Sequence, residues 1–248
     1  MTCWPIFIIS LRDAERRRQP LIETLDQLGL EYTVVDAVDG RGGLAPEHEK
    51  LVDRDATRSN LARDMTDAEY GCALSHLSVY RRMKAEGLPG AIILEDDAIP
   101  GPLFAEFCRE AGYERADLIV LDYSFTRVWR FSARPLTANT KSALLSLNPS
   151  LNTAYSISAS GCAYMIDNAL PIRRTADWPC DITKIGARAC IPRIVDHPHV
   201  DEAESSIEEA RRKSFETRYW DLHSHQDGGF ETRRARRWLI KRMSRKLA

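Results

Sequence analysis

Three consecutive acids, Glu95-Asp96-Asp97, directly follow the apolar run Ala91-Ile92-Ile93-Leu94. Acids at the end of a buried strand stand where open α/β sheets bind ligands, in the crevice outside the carboxyl ends of the strands. If extended geometry continues through the triplet, side chains alternate, so that Glu95 and Asp97 share one face and Asp96 takes the other. Two hard carboxylates at that spacing suit one divalent cation such as Mg2+ or Mn2+, which keeps part of its water shell and is often shared with substrate phosphates. Asp122 closes a second apolar run, Leu118-Ile119-Val120-Leu121. Arg12, Arg16, Arg17 and Arg18 follow the first run and could meet phosphates, although a solvated helix face accounts for most of them. His76 comes one helical turn after Cys72, and a helical histidine on a mixed face is more often a packed, satisfied residue than a catalyst. His197-Pro198-His199 and His223-Ser224-His225 have a spacing found among metal ligands, but with no cysteine nearby in sequence they are read as unliganded.

These groups need a scaffold, and the hydrophobic pattern supplies one. Ile6-Phe7-Ile8-Ile9 suits a strand buried on both faces of a parallel sheet. Leu21, Ile22, Leu25 and Leu28 then recur at helical spacing up to Gly29, a residue suited to the left-handed end of a helix. Tyr32-Thr33-Val34-Val35 completes a β-α-β unit, for which a right-handed parallel connection is the default. Residues 40–64 are polar and aperiodic and predict a long surface excursion with room for one helical turn. Thr66 and Glu69 match a capping box at the start of a helix that Gly87-Leu88-Pro89-Gly90 ends. Residues 102–112 read as helical, and residues 129–151 lack a decisive pattern. Small alternating residues from Tyr155 precede a helix start expected near Asp167 or Asn168, and residues 191–200 suggest a short edge strand bounded by prolines. Recurrent β-α-β units predict an α/β fold, a mostly parallel Rossmann-like sheet flanked by helices.

Composition narrows the classes of function. The 248 residues are 44% hydrophobic, with 35 basic and 36 acidic side chains and a net charge of −1, which excludes a disordered polymer or a disulfide-stapled miniprotein. Residues 231–248 hold eight Arg or Lys and one acid, leaving 27 basic and 35 acidic residues in the rest, an acidic body with a basic tail. That tail mixes its charges with Trp238, Leu239, Ile240 and Met243, the composition of a helix that lies on an anionic membrane. Six cysteines without a C-x-x-C pair predict reduced thiols. The absence of a signal-peptide pattern and of a long apolar run predicts a cytoplasmic protein, peripheral at most on the inner face of the membrane. No G-x-G-x-x-G, Walker A or G-x-S-x-G sequence occurs, which lowers dinucleotide oxidoreductases, P-loop enzymes and α/β-hydrolases.

Four motifs in order carry a family resemblance. Ile8-Ile9-Ser10-Leu11-Arg12 with Glu15-Arg16-Arg17, Asp36-Ala37-Val38-Asp39-Gly40, the stretch from Thr66 through Gly71-Cys72-Ala73-Leu74-Ser75-His76, and Ile92-Ile93-Leu94-Glu95-Asp96-Asp97 resemble glycosyltransferase family 25. This family serves lipopolysaccharide and lipooligosaccharide biosynthesis, and its animal relatives are collagen galactosyltransferases. Weaker later blocks at Ser158-Ala159-Ser160-Gly161-Cys162-Ala163-Tyr164, Pro179-Cys180-Asp181, and Val195-Asp196-His197 with Ser205-Ser206-Ile207 extend the likeness to about residue 207. Ser10 stands where the family usually has Asn, and Cys180 where it usually has Val.

The resemblance implies a GT-A-like fold, a UDP-sugar donor, commonly UDP-galactose, and Mn2+ or Mg2+, with Glu95-Asp96-Asp97 in the place of the D-x-D motif. It places Ser10, Arg12, Arg16, Asp39, Gly71, Ser75, His76, Glu95 and Asp96 around the donor, and Glu95 and Asp97 on the metal. It further implies inversion, in which a carboxylate takes the proton of the acceptor hydroxyl. Asp181, after Trp178 and Pro179 and so beside an aromatic surface suited to a sugar ring, is the first choice for that base, and Asp122 the second. The acceptor expected is a saccharide of a lipid-linked surface glycan, with no nucleic acid partner. Residues 1–230 are expected to form the transferase domain and 231–248 a basic amphipathic tail. The alternatives are a sugar nucleotidyltransferase, which the lack of a Gly-rich phosphate loop disfavours, and an inactive glycan-binding relative.

Overall fold

The computed structural model describes residues 3–198 and 238–247. In chain order its elements are β1 (Ile6–Ser10), α1 (Glu15–Leu28), β2 (Tyr32–Asp36), α2 (Pro46–Glu49), α3 (Arg54–Leu61), α4 (Asp67–Ala85), β3 (Gly90–Glu95), β4 (Ile99–Pro100), α5 (Pro102–Arg109), β5 (Leu118–Val120), β6 (Arg127–Trp129), β7 (Arg134–Pro135), β8 (Lys141–Leu144), β9 (Ala154–Ser158), α6 (Ala159–Ala169), β10 (Arg188–Ile191), β11 (Val195–Asp196) and β12 (Ser244–Lys246), with short 3-10 turns at Gly112–Arg115 and Ile182–Ile185. Eight strands form one sheet in the order β2-β1-β3-β9-β5-β10-β8-β7. β1 runs parallel to β2 and β3, and β10 parallel to β5, while β9 is antiparallel to both β3 and β5. The carboxyl ends of β1, β3 and β5 therefore lie along one sheet edge, which the start of β9 shares.

Alternation explains why the strands are apolar throughout. Phe7, Ile9, Ala91 and Ile93 pack on one face with Leu74, Leu77, Tyr80 and Met165 of α4 and α6. Ile6, Ile8, Ile92 and Leu94 pack on the other with Leu21, Leu25, Phe104 and Phe107 of α1 and α5. A strand covered on both sides has no polar face to show.

Several local expectations hold for their stated reasons. Gly29 ends α1 with φ 67°, and at α4 both halves of the capping box form between Thr66 and Glu69. Others are corrected. The polar excursion contains α3, whose N-cap is Asp53 accepting from the Ala56 amide. Thr57 is its one buried residue, so it presents no apolar period to read. The helix expected from Asp167 or Asn168 ends at Ala169 instead, having begun at Ala159 under a Ser158 cap that accepts from the Gly161 amide. In the undecided stretch β7 and β8 form, with β6 at its leading edge.

The described end of the basic tail docks on the body. β12 pairs antiparallel with β6, with Ser244 opposite Trp129, and Ile240 is buried with Leu147. Trp238, Leu239 and Met243 remain exposed. Residues 199–237, including His199, His223 and His225, lie outside the described residues, in which no helix is long and apolar enough to cross a membrane.

Close backbone contact fixes the segment before α2 against α4. A Cβ added at Gly71 would lie 2.6 Å from the Val38 carbonyl oxygen and 3.1 Å from the Gly40 nitrogen. In an open helix, Gly→Ala would stabilise by about 1 kcal/mol. Here the sign should reverse, and Gly71→Ala is expected to destabilise by about 1–3 kcal/mol through overpacking. A denaturant midpoint equal to or above that of the wild type would refute this close approach.

Candidate functional site

The site grows from the carboxyl end of β3. Ile93 faces α4 and Leu94 faces α1, so alternation turns Glu95 toward α4 and Asp96 toward α1. A turn then closes, with the Ala98 amide donating to the Glu95 carbonyl at 3.1 Å. Extended geometry thus stops at the triplet, and the expected sharing of one face by Glu95 and Asp97 is corrected: Asp97 joins Asp96 on the α1 side. Arg17 bridges the two, with Nε 3.0 Å from Asp96 Oδ1 and Nη2 2.6 Å from Asp97 Oδ2. Ser10, at the end of β1, donates to Asp96 Oδ2 at 2.9 Å.

Crowded acids strain against ionisation here. Burial pushes the Asp96 carboxyl above its ordinary range against the pull of Arg17. Burial and then the charge of Glu95 do the same to Asp97. Burial raises the Glu95 carboxyl, but the hydrogen bond and contact with His76, the charge of Arg17 and the Cys72 thiol together hold it below its usual range. Asp97 Oδ1 is buried without a hydrogen-bond partner, which is costly unless a ligand or water satisfies it.

On the α4 side, His76 is 3% exposed. Its Nε2 lies 3.1 Å from Glu95 Oε1 and its Nδ1 2.8 Å from the Tyr155 hydroxyl, which in turn meets Tyr80 at 2.6 Å. Asn152 connects this group to the segment before Asp181, its Nδ2 lying 3.1 Å from His76 Nε2 and donating to the Ala176 carbonyl at 2.9 Å.

A second group forms at the end of β5. Asp122 is fully buried, and its Oδ2 lies 2.9 Å from His197 Nδ1. That hydrogen bond raises the His197 pKa above its usual value against the opposing effect of burial. The Ile194 and Val195 amides donate to the Leu121 carbonyl, and β11 then pairs with β4, Asp196 opposite Ile99. His197 follows directly after this pairing and meets Asp122.

The remaining expected residues divide by role. Arg12 pairs with Asp36, its Nε donating at 3.1 Å, and Arg16 stands exposed on α1. Of the basic cluster it is Arg17 that reaches the acids, one residue beyond the expected Arg16, because its position on the helix points it across to β3. Asp39 is engaged with Arg41, whose hydrogen bond lowers its carboxyl to about 2. Gly71 and Ser75 dock the neighbouring segment: the Ser75 hydroxyl donates to the Gly71 carbonyl at 2.6 Å and accepts from the Val38 amide at 2.8 Å. Asp181 is the N-cap of the 3-10 turn at Ile182–Ile185 and accepts from the Thr183 amide. Trp178 is 4% exposed and packs edge-on against Tyr155, so the expected aromatic platform beside Asp181 is instead part of the core.

Sequence reasoning missed Arg17 as the bridging base, the Asp122–His197 pair and the Tyr80–Tyr155–His76 chain. Asp122 and His197 are 75 residues apart, and Tyr155 is 79 residues from His76, so although Tyr80 follows His76 by one helical turn, no local spacing announces either group.

Among solved structures the fold is similar to that of mannose-1-phosphate geranyltransferase from Thermus thermophilus, with a TM-score of 0.41 and 11% identity over 79% of this chain and 76% of that one. Human procollagen galactosyltransferase 2 is 33% identical over 99 residues, 37% of this chain and 15% of the relative. A rat protein named probable inactive glycosyltransferase 25 family member 3 is 31% identical over 103 residues, 37% of this chain and 17% of the relative. The chain thus spans less than a fifth of the length of either curated relative. The family described as glycosyltransferase family 25 (LPS biosynthesis protein) matches residues 4–178, and with the four motifs converging on one sheet edge, the chain belongs to that family.

Proposed function

We propose that the protein is a metal-dependent, inverting hexosyltransferase that takes UDP-galactose as donor and a saccharide of a lipopolysaccharide or other surface glycan as acceptor. The observation that carries this reading is the buried, unpartnered Asp97 Oδ1 at a strand end where acids crowd. Such a group fits a hard divalent cation, because a positive charge would satisfy the oxygen and offset the repulsion that burial and Glu95 impose. Asp97, at the turn after β3, would hold Mn2+ or Mg2+ through that oxygen. When bound, the ion neutralises charge developing on the departing diphosphate.

The chain's own residues do the rest. Arg17 exchanges part of its pairing with Asp96 and Asp97 for donor phosphate, and it can do so because its guanidinium offers several donors in a fixed plane. Ser10 holds Asp96 in place. Asp181 takes the proton of the attacking acceptor hydroxyl.

The matched rat relative is named inactive, which makes a non-catalytic glycan binder the competing reading. Release of UDP from a panel of UDP-sugars, with Mn2+ or with EDTA, separates the two. The expected result is slow metal-dependent release from UDP-galactose without acceptor and faster release with a lipooligosaccharide core. No release from any donor would leave the non-catalytic reading standing. Presenting the acceptor in anionic and in neutral vesicles extends the assay to the basic tail, with salt-sensitive acceleration expected on the anionic surface only.

A further inference from the structure

Helix α4 turns a second set of donor atoms toward Glu95, on the side away from Arg17. Cys72 and His76 are one helical turn apart and share a face. Cys72 Sγ lies 3.9 Å and His76 Nε2 3.1 Å from Glu95 Oε1, and the three ligand atoms all lie within 4.8 Å of one another. A four-coordinate ion with sulfur at about 2.3 Å and nitrogen or oxygen at about 2.0–2.2 Å has ligand-to-ligand edges of roughly 3.3–3.6 Å. Small side-chain rotations are enough to reach that geometry.

The hydrogen bonding at His76 points independently to a ligand. Asn152 is oriented by its bond to the Ala176 carbonyl, so its amide N–H faces Nε2 while the Glu95 carboxylate faces the same nitrogen. Protonated, Nε2 satisfies Glu95 but opposes the Asn152 N–H. Unprotonated, it accepts from Asn152 but sets a lone pair against a carboxylate. A cation between Nε2 and Oε1 replaces that repulsion with two bonds and leaves Asn152 on Ala176. On the far side of the ring, Nδ1 lies 2.8 Å from the hydroxyl of Tyr155, whose phenol burial keeps protonated, and with a metal on Nε2 the proton on Nδ1 would be donated to that oxygen. Metal-bound histidines are held in one tautomer by just such an outer hydrogen bond.

We propose that Cys72, His76 and Glu95 form a binding site for a thiophilic divalent cation of the Zn2+ class, distinct from the hard-cation site at Asp97. Thiolate with imidazole selects such an ion over Mg2+. On binding, the S–H bond of Cys72 breaks, a metal–sulfur bond forms, and one proton is released to solvent. The ion's two charges are then balanced by one thiolate and one carboxylate, which a half-buried site tolerates. Cys72 and Glu95 are both half-buried, leaving a fourth position open to water.

The probe is Co2+, added to the reduced, full-length protein without any sugar nucleotide, so the outcome is independent of glycosyl transfer. The expected spectrum has a thiolate-to-cobalt charge-transfer band and the intense visible bands of a four-coordinate ion. Zn2+ should extinguish it, and excess Mg2+ should not. Cys72→Ser should lose the charge-transfer band, whereas Asp97→Asn and Cys3→Ser should keep it. A wild type without the band at saturating Co2+, or a band that survives in Cys72→Ser, overturns the proposal. A second measurement needs no variant: Zn2+ should slow alkylation of Cys72 at least tenfold, as mapped by peptide mass spectrometry, and leave the exposed Cys3 unchanged. Equal Cys72 alkylation with and without Zn2+ also overturns it.

Discussion

Asp97→Asn is expected to lower metal-dependent UDP release by roughly 10²- to 10³-fold, the scale on which a preorganised electrostatic contact at developing charge acts. Its thermal unfolding should be unchanged or slightly higher in temperature. Asp97 Oδ1 is buried and unpartnered, and a neutral amide cannot supply the charge that a hard cation selects. The stability expectation follows from the raised carboxyl. Burial and then Glu95 push Asp97 up, with Arg17 opposing. An acid whose folded pKa lies above its unfolded value binds its proton more tightly when folded. Ionising it therefore weakens the fold as pH rises through the carboxylate range, and Asn removes that penalty at neutral pH. The cation acts in the opposite direction, since it binds the ionised form, and its affinity should climb with pH over the same range. The measurements are initial rates across a Mn2+ titration and calorimetric unfolding without metal, with Asp36→Asn as an exposed control. Near-wild-type turnover of Asp97→Asn at saturating Mn2+ would remove Asp97 from the metal.

What could be read in advance depended on how local the signal was. β1 and β3 are legible because both faces of each are covered, so hydrophobicity alone marks them. The start of α4 is legible because Thr66 and Glu69 are three residues apart and bond each other directly. Helix α3 is hidden because a surface helix capped by Asp53 has no buried stripe to report. The position of Glu95 and Asp96 on opposite faces follows from alternation, but the turn that sets Asp97 on Arg17, closed by the Ala98 amide on the Glu95 carbonyl, has no such periodic signal. His197 shows the limit of spacing arguments. Judged by His199 and nearby cysteines it looks unsupported, yet its partner is Asp122, 75 residues earlier, brought beside it because residues 194–197 cross from β5 to β4.

The acid at position 181 joins two roles that one substitution can separate. Its carboxylate caps the turn at Ile182–Ile185, with Oδ1 accepting from the Thr183 amide at 3.1 Å and from the Thr183 hydroxyl at 2.6 Å. Asn148 clasps the backbone on either side, donating to the Cys180 carbonyl at 2.8 Å and accepting from the Ile182 amide at 3.1 Å. The Tyr164 hydroxyl donates to the Asp181 carbonyl at 2.8 Å. The position of the residue is therefore set by its backbone and not by its charge. Asn caps about as well as Asp, while Ala costs about 1 kcal/mol at such a position. Asp181→Asn should accordingly unfold within about 0.5 kcal/mol of the wild type, and Asp181→Ala should be less stable than either. If the carboxylate takes the acceptor proton, both variants should lose roughly 10²- to 10⁴-fold in kcat, the range for a positioned general base. UDP and Mn2+ affinities should stay near wild type, because proton transfer and not donor binding is removed. A cap alone predicts a different order, with Asp181→Asn fully active and only Asp181→Ala impaired, in step with its stability. Comparing kcat with unfolding free energy for the two variants decides between these orders, and an active Asp181→Asn would pass the role of base to Asp122.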